Sequence, residues 1–267
     1  MPVSSFVQTL SDFDIGDTTI DVLQKATEYD PGARLIVDFL EPSTYAGGTV
    51  PATIAGGATL TDLKAAPTAL TLTSGSALTI TTAGLKFIAA SGQYFDISSV
   101  GKFPAGCLHF GFGGWLKTID NSGDAQAFSA VAGYLSDTSP ANCQWVIQRQ
   151  RGTTTYTGIV GPASASIVCA VGEVAHLFYE VRVAAGVATV YAYKNGVLQS
   201  TSVPGALTGG VLPTPSAMAT IGQTFPFNAP CNIELGCFTL ENFDVAGSRS
   251  VTDYLARAYG DLVGRFA

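Results

Sequence analysis

Along most of the chain, apolar positions recur at every second residue in short runs. This is the spacing of strands that turn one face to a core. The clearest run is 175–183, where Ala175, Leu177, Tyr179, Val181 and Val183 share one face and His176, Phe178, Glu180 and Arg182 share the other. Cys143, Trp145 and Ile147 alternate in the same way with Gln144, Val146 and Gln148. Residues 35–39 predict a strand, and 108–117 a central strand whose glycines mark bends or close packing. Shorter β-rich runs near 69–73, 77–81, 84–89 and 93–97 are separated by Gly and Ser, and 42–58 reads as a long connection. Val187–Lys194 and 197–202 flank Asn195-Gly196, two residues that tolerate positive φ and so predict a hairpin. Further strands are predicted over 219–223 and 231–242.

Helical spacing is confined to the two ends. Thr18-Thr19 can cap a short helix over about 20–29 that Asp30-Pro31-Gly32 would end. Ser248 or Ser250 can cap another, in which Val251, Leu255, Ala258 or Tyr259, Leu262 and Phe266 form an apolar stripe. That stripe packs either on the strands or on a neighbouring subunit. The pattern predicts an all-β fold, a two-sheet antiparallel jelly-roll sandwich over 35–267, with an N-terminal extension over 1–34 and a C-terminal helix.

Charge narrows the partners. The net charge of the 267 residues is −7, and only 12% of them are charged. Residues 1–41 hold eight acids against Lys25 and Arg34, while the remainder, with 12 acids and 11 bases, is nearly neutral. No basic stripe is present, which argues against nucleic acid and against anionic lipid as partners. The acidic opening is either a solvated start or a surface for a basic partner. The five cysteines are odd in number and lack a CxxC pair, which suits buried free thiols in a reducing cytosol. The first residues lack the basic and apolar regions of a signal peptide, and no apolar run approaches the roughly 20 residues of a membrane span, so no membrane insertion is expected.

The ordered set Tyr94-Phe95-Asp96-Ile97, 108–117 with its Phe-Gly-Phe-Gly-Gly-Trp, 176–183, 189–196 ending in Asn-Gly, Thr220-Ile221-Gly222 and 233–242 resembles the laminin-G-like or concanavalin A-like lectin jelly-roll superfamily over about 35–267. Two features depart from that family. Residues 1–34 are not part of the module, and Cys231 and Cys237, six residues apart on one predicted strand, cannot form the usual disulfide. A cytosol-made module with an acidic extension is similar to virion proteins of tailed bacteriophages, which use such jelly rolls for capsid decoration, tails or receptor binding. The resemblance implies a virion location after synthesis in the host cytoplasm. Its implied partners are other virion proteins, further copies of the chain and a cell-surface glycan.

Glucan-cutting members of that superfamily carry Glu-x-Asp-x-x-Glu or Glu-x-Asp-x-Glu, which sets two carboxylates at the spacing of retaining hydrolysis. The chain has neither. Glu173 and Glu180, and likewise Glu234 and Glu241, are seven residues apart and are predicted on opposite faces. His109 and His176 lack metal-ligand neighbours, and no nucleophile elbow, Walker loop or dinucleotide fingerprint occurs. The expectation is a non-enzymatic structural protein without a cofactor. The alternative is a carbohydrate-binding adhesin, and a glycan-cleaving enzyme ranks third. Asp120, Asn121 and Asp124 cluster oxygens that suit Ca²⁺ or form an ordinary polar turn. For sugar binding, the candidates are Phe225, Phe227, Asn228, Tyr134 and Tyr156; exposed loop aromatics serve equally as subunit contacts. Trp115 and Trp145 are expected to fill the core.

Overall fold

A computed structural model describes residues 30–40, 53–64, 68–73, 77–88, 92–124, 126–137, 139, 142–224, 231–260 and 263. The strands, in order, begin with β1 (Ala33–Asp38), β2 (Thr53–Ile54), β3 (Thr59–Thr61), β4 (Ala69–Thr71), β5 (Leu78–Thr81), β6 (Gly84–Phe87) and β7 (Tyr94–Asp96). Then come β8 (His109–Thr118), β9 (Phe128–Leu135), β10 (Cys143–Gln150), β11 (Thr155–Val160), β12 (Ala163–Val168) and β13 (Val174–Ala184). The last are β14 (Val187–Lys194), β15 (Val197–Thr201), β16 (Gly205–Ala206), β17 (Ala219–Gly222), β18 (Ile233–Leu235) and β19 (Cys237–Asn242), followed by one helix, Val251–Gly260.

Two antiparallel sheets face each other, as the alternation predicts. The larger has eleven strands along β15-β14-β13-β8-β18-β6-β5-β2, with β19 and β1 continuing from β8, and β16 beside β14. The smaller runs β12-β11-β10-β9-β17-β7, and β3-β4 form a separate pair. Between the sheets, Phe112 lies 5.3 Å from Trp145 and 5.6 Å from Tyr179 by ring centroid, and Trp145 donates its indole N–H to the Gly101 carbonyl at 2.8 Å. The predicted hairpin is present, with φ of 53° at Asn195 and 75° at Gly196. In β8 glycine signals close approach: a Cβ on Gly114 would sit 1.9 Å from the Cys237 carbonyl oxygen. All five cysteines are buried and free.

The strand predicted over 231–242 is two strands. From Leu235 opposite Leu116 to Thr239 opposite Gly113, β18–β19 advances four residues while β8 moves three. The extra residue is a bulge at Gly236, which resets the alternation. Glu234, opposite Lys117, and Glu241, opposite Gly111, therefore share the outer face of the large sheet, contrary to the opposite faces expected from their spacing.

Trp115 is the second correction. It lies on the outer face, across from His176, and not between the sheets. The C-terminal helix covers it there. Ser250 caps the helix, accepting the Asp253 N–H at 3.1 Å and donating to its carboxylate at 2.7 Å. Val251, Tyr254, Leu255 and Ala258 are buried, with Phe178 in the same cluster. Of the two packing partners weighed for the apolar stripe, the helix uses this sheet for these residues. Leu262 and Phe266, and the helix expected over 20–29, lie outside the described residues. So does most of the 1–34 extension; its last residues belong to the sandwich, because β1 pairs with β19 from Ala33 onward. Within 42–58, read as a connection, Thr53–Ile54 pairs with β5.

Candidate functional site

The outer face of β13 and β14 carries an organised polar group. The β13–β14 register sets Glu180 opposite Tyr191 and Phe178 opposite Tyr193. Glu180 is buried. Its Oε1 accepts from Arg182 Nε at 2.5 Å and lies 2.8 Å from His109 Nε2, while its Oε2 accepts from the Tyr193 hydroxyl at 2.8 Å. Burial pushes the Glu180 carboxyl upward, but the hydrogen bonds from His109, Arg182 and Tyr193 outweigh it and hold the group below the usual carboxylate value. The same bond to Glu180 raises Arg182, whose guanidinium lies 5.0 Å over the Tyr191 ring. More than half of the Arg182 side chain is exposed.

The helix turns this face into a cleft of about 410 Å³. Glu180, Arg182 and Tyr193 line one side, Asn195 to Val197 close the end, and Thr252, Leu255 and Tyr259 form the helical wall. Asn195 is held in place by the His176 N–H, which donates to its Oδ1 at 2.9 Å. The cleft combines two tyrosine rings, a preset carboxylate–guanidinium pair and an apolar helix edge. That mixture suits a ligand with an apolar face and several hydroxyls. A second cleft, of about 570 Å³, is bounded by Ser136, Asp137, Asn142 and 208–216 loop residues including Pro213 and Pro215; no aromatic ring lines it.

Glu180 and Glu241 both flank Gly111, on the two strands either side of β8 and on one face. They do not form a carboxylate pair open to substrate. The Phe178 ring fills the space over Gly111, so that a Cβ there would meet its Cζ at 2.2 Å, and both carboxylates are buried. Glu241 instead binds Arg249, Nη2 to Oε1 at 2.6 Å, and Arg249 Nε reaches Asp30 Oδ2 at 2.6 Å.

The candidates named from sequence fall elsewhere. Tyr134 is buried and donates its hydroxyl to the Pro215 carbonyl at 2.5 Å. Tyr156 is buried between the sheets, with its hydroxyl on Thr118 Oγ1 at 3.2 Å. Neither ring presents a face to a sugar, so both are withdrawn as contact residues. Phe225, Phe227 and Asn228 lie outside the described residues. In the Asp120–Asp124 turn, Asp120 is spent on Ser122. The Asn121 side chain donates to the Gln150 carbonyl at 3.1 Å and accepts from Gly152 N–H, and Asp124 Oδ1 accepts from Asn232 at 2.6 Å. These bonds brace a loop and leave one buried oxygen, Asp124 Oδ2, without a hydrogen bond. Among the described residues, no group of three or more His, Cys, Asp or Glu side chains is arranged to hold a metal ion.

Sequence reading overlooked Glu180, Arg182, Tyr193 and Asn195. The alternation that set Glu180 and Arg182 outward, combined with the hairpin fixed by Asn195-Gly196, contained the signal, because that hairpin alone determines which β14 residues stand beside them.

These features define an antiparallel two-sheet β-sandwich that carries an aromatic–ionic cleft among its described residues. No family model and no curated protein sequence matches the chain. Among solved structures, it is similar to the botulinum neurotoxin serotype D binding domain (9% identity, TM-score 0.54, covering 90% of this chain and 52% of that one). It is also similar to a Trypanosoma rangeli sialidase in complex with 2,3-difluorosialic acid (13% identity, TM-score 0.50, covering 98% of this chain and 39% of that one). The chain thus spans about half or less of either structure, and at these identities the likeness speaks for the fold alone. It still overturns the expectation of a non-enzymatic chain. A sialidase shares this fold, so neither the sandwich nor the missing Glu-x-Asp string excludes catalysis.

Proposed function

We propose that the chain is a carbohydrate-recognition module whose sugar site is the cleft between the β13–β14 hairpin and the C-terminal helix. The observation that carries this reading is the Glu180–Arg182–Tyr193 cluster at the cleft, in which donors and acceptors are locked in place beside tyrosine rings. A pyranose lays its C–H face on an aromatic ring and places its hydroxyls against such fixed groups. A site built to hydrogen-bond them rejects ligands that lack them. One of the similar structures is named as a sialidase in complex with a sialic-acid derivative, which supports the sugar reading. Binding is also the step that a lectin and a glycan-processing enzyme have in common, so this proposal leaves turnover as a separate measurement.

The test is a glycan array followed by calorimetry on the best ligand. Arg182→Ala and Tyr193→Ala should each weaken binding about tenfold or more, a loss of about 1.4 kcal/mol. Phe128→Ala, far along the sequence on β9, should leave it unchanged. A blank array, or a ligand whose affinity ignores both cleft variants, would remove the proposal.

For the setting of this module we propose a virion surface, attached through the N-terminal segment. The support is its charge. Residues 1–29 carry Asp12, Asp14, Asp17, Asp21 and Glu28 against Lys25, a net −4, whereas Asp30 and Asp38, counted with the acidic opening by sequence, are buried within the sandwich. Deleting residues 2–28 should leave the unfolding transition intact while abolishing incorporation into particles. Particles that accept the shortened chain as readily as the full one would refute the attachment role.

A further inference from the structure

Two long stretches, 152–172 and 195–233, contain no Asp, Glu, Lys, Arg or His. The fold brings them together. The first supplies β11 and β12, and the second supplies β15, β16 and β17. β12 ends the small sheet and β15 ends the large one, and the two edges are tied where the Ser200 hydroxyl accepts the Ser166 N–H at 3.1 Å and donates to the Ser166 carbonyl at 2.7 Å. Seven of the ten exposed large hydrophobic side chains among the described residues fall in these two stretches. Val168, Val171, Val197, Leu198 and Val203 are 48–83% exposed. Lys194, at the base of the hairpin, is taken up by Glu173 at 2.5 Å and donates to the Val168 carbonyl at 2.9 Å.

Solvated edge strands are normally guarded by lysine or proline, because an edge with free backbone groups recruits another strand. β15, Val-Leu-Gln-Ser-Thr, carries neither; β12, whose Ser166 and Val168 backbone groups are already taken by Ser200 and Lys194, adds only exposed side chains beside it. β15 has β14 on one side and no strand on the other among the described residues.

We infer that this side of the sandwich, centred on β15, joins two copies of the chain edge to edge about a twofold axis. Charge selects a second copy as the occupant. Two chains of net −7 repel each other, and these stretches form a surface on which they meet without opposing like charges. An antiparallel pairing about a twofold axis matches an edge strand to itself, so no further complementarity is required. A membrane surface would call for basic residues around the apolar side chains, and these stretches have none. The inference does not rest on the sugar proposal: of β15 only Val197 lines the cleft, and the variants that test the dimer alter Leu198 and Val168, which do not.

Sedimentation of the full-length chain over a range of concentrations is the test. The wild type should sediment as a dimer at micromolar concentration. Leu198→Lys and Val168→Lys each place a charge opposite its own symmetry mate or its neighbour, and each should weaken the dimer about a hundredfold without moving the unfolding midpoint. Phe128→Lys, at another exposed apolar site outside both stretches, should stay dimeric. A wild-type chain that remains a monomer up to its solubility limit overturns the inference. So does a dimer that tolerates both edge lysines, or one that Phe128→Lys disrupts equally.

Discussion

Arg249→Met is expected to destabilise the protein by about 3–5 kcal/mol, the cost of stranding buried charge. Arg249 sits between two acids from distant parts of the chain: Asp30, just before β1, and Glu241, near the end of β19. Asp30 and Glu241 are buried, the Arg249 side chain is only 10% exposed, and its guanidinium lies 4.9 Å over the Tyr254 ring. Methionine fills a similar volume but leaves two carboxylates without their cation. The loss should depend on pH, and the sign follows from Glu241. Burial raises its carboxyl to about 7, against the opposing pull of Arg249. A folded-state value above the unfolded one means that the native state holds its proton more tightly. The group's contribution to stability is thus fully present below the unfolded value and is lost as pH rises through the folded one. Removing the cation pushes Glu241 further up, so the variant should be closest to wild type near pH 5 and weakest near pH 8. Urea denaturation at both pH values checks this. Equal losses at the two, or a loss below about 1 kcal/mol as for an exposed pair, would show that the triad is not buried charge in this sense.

Parts of this structure were legible where one face of a strand is buried and the other is not. In β13 the apolar set 175–183 was assigned correctly, and Asn195-Gly196 fixed the next hairpin. Legibility failed where a second layer covers the outer face. β8 is buried along almost its whole length on both faces, so alternation no longer distinguishes them, and Trp115 was placed on the wrong one. It failed again at Gly236, because a single bulged residue inverts every assignment downstream, and this brought Glu234 and Glu241 to the same face. β12 alternates regularly between buried and exposed positions, but its Ala and Ser residues differ too little in hydropathy to show it. The polar floor of the cleft was visible as outward-facing Glu180 and Arg182. Its wall was not, because no local spacing records where the C-terminal helix crosses the sheet. The two uncharged stretches were readable as such; only the fold shows that they adjoin.

Trp115→Ala is expected to remove that wall. The indole is buried under the helix, donates its N–H to the Ala258 carbonyl at 2.7 Å and stacks with Tyr259 at 5.8 Å and 14°. Beside it, His176 is held neutral, its imidazole lowered to about 3 by burial. Truncating a buried tryptophan costs about 3–5 kcal/mol. Here the loss should be local, because Trp115 belongs to the outer cluster with Ile36, Leu63 and Cys237 and not to the core between the sheets. A helix of ten residues is marginal on its own in water, so it stays folded mainly through this contact and the tilted Phe178–Tyr254 ring contact at 4.3 Å. Hydrogen exchange should show the amides of Val251–Gly260 losing protection while those of β9 and β10 keep theirs. Sugar binding at the cleft should fall with them, although none of Glu180, Arg182 and Tyr193 has been altered, because Thr252, Leu255 and Tyr259 leave with the helix. Trp115→Phe keeps an apolar ring but no donor and should fall between the two. If the helix amides of the alanine variant exchange as slowly as those of the wild type, the indole is not what holds the helix to the sheet. The cleft would then have to be preformed by Phe178 and Tyr254 alone.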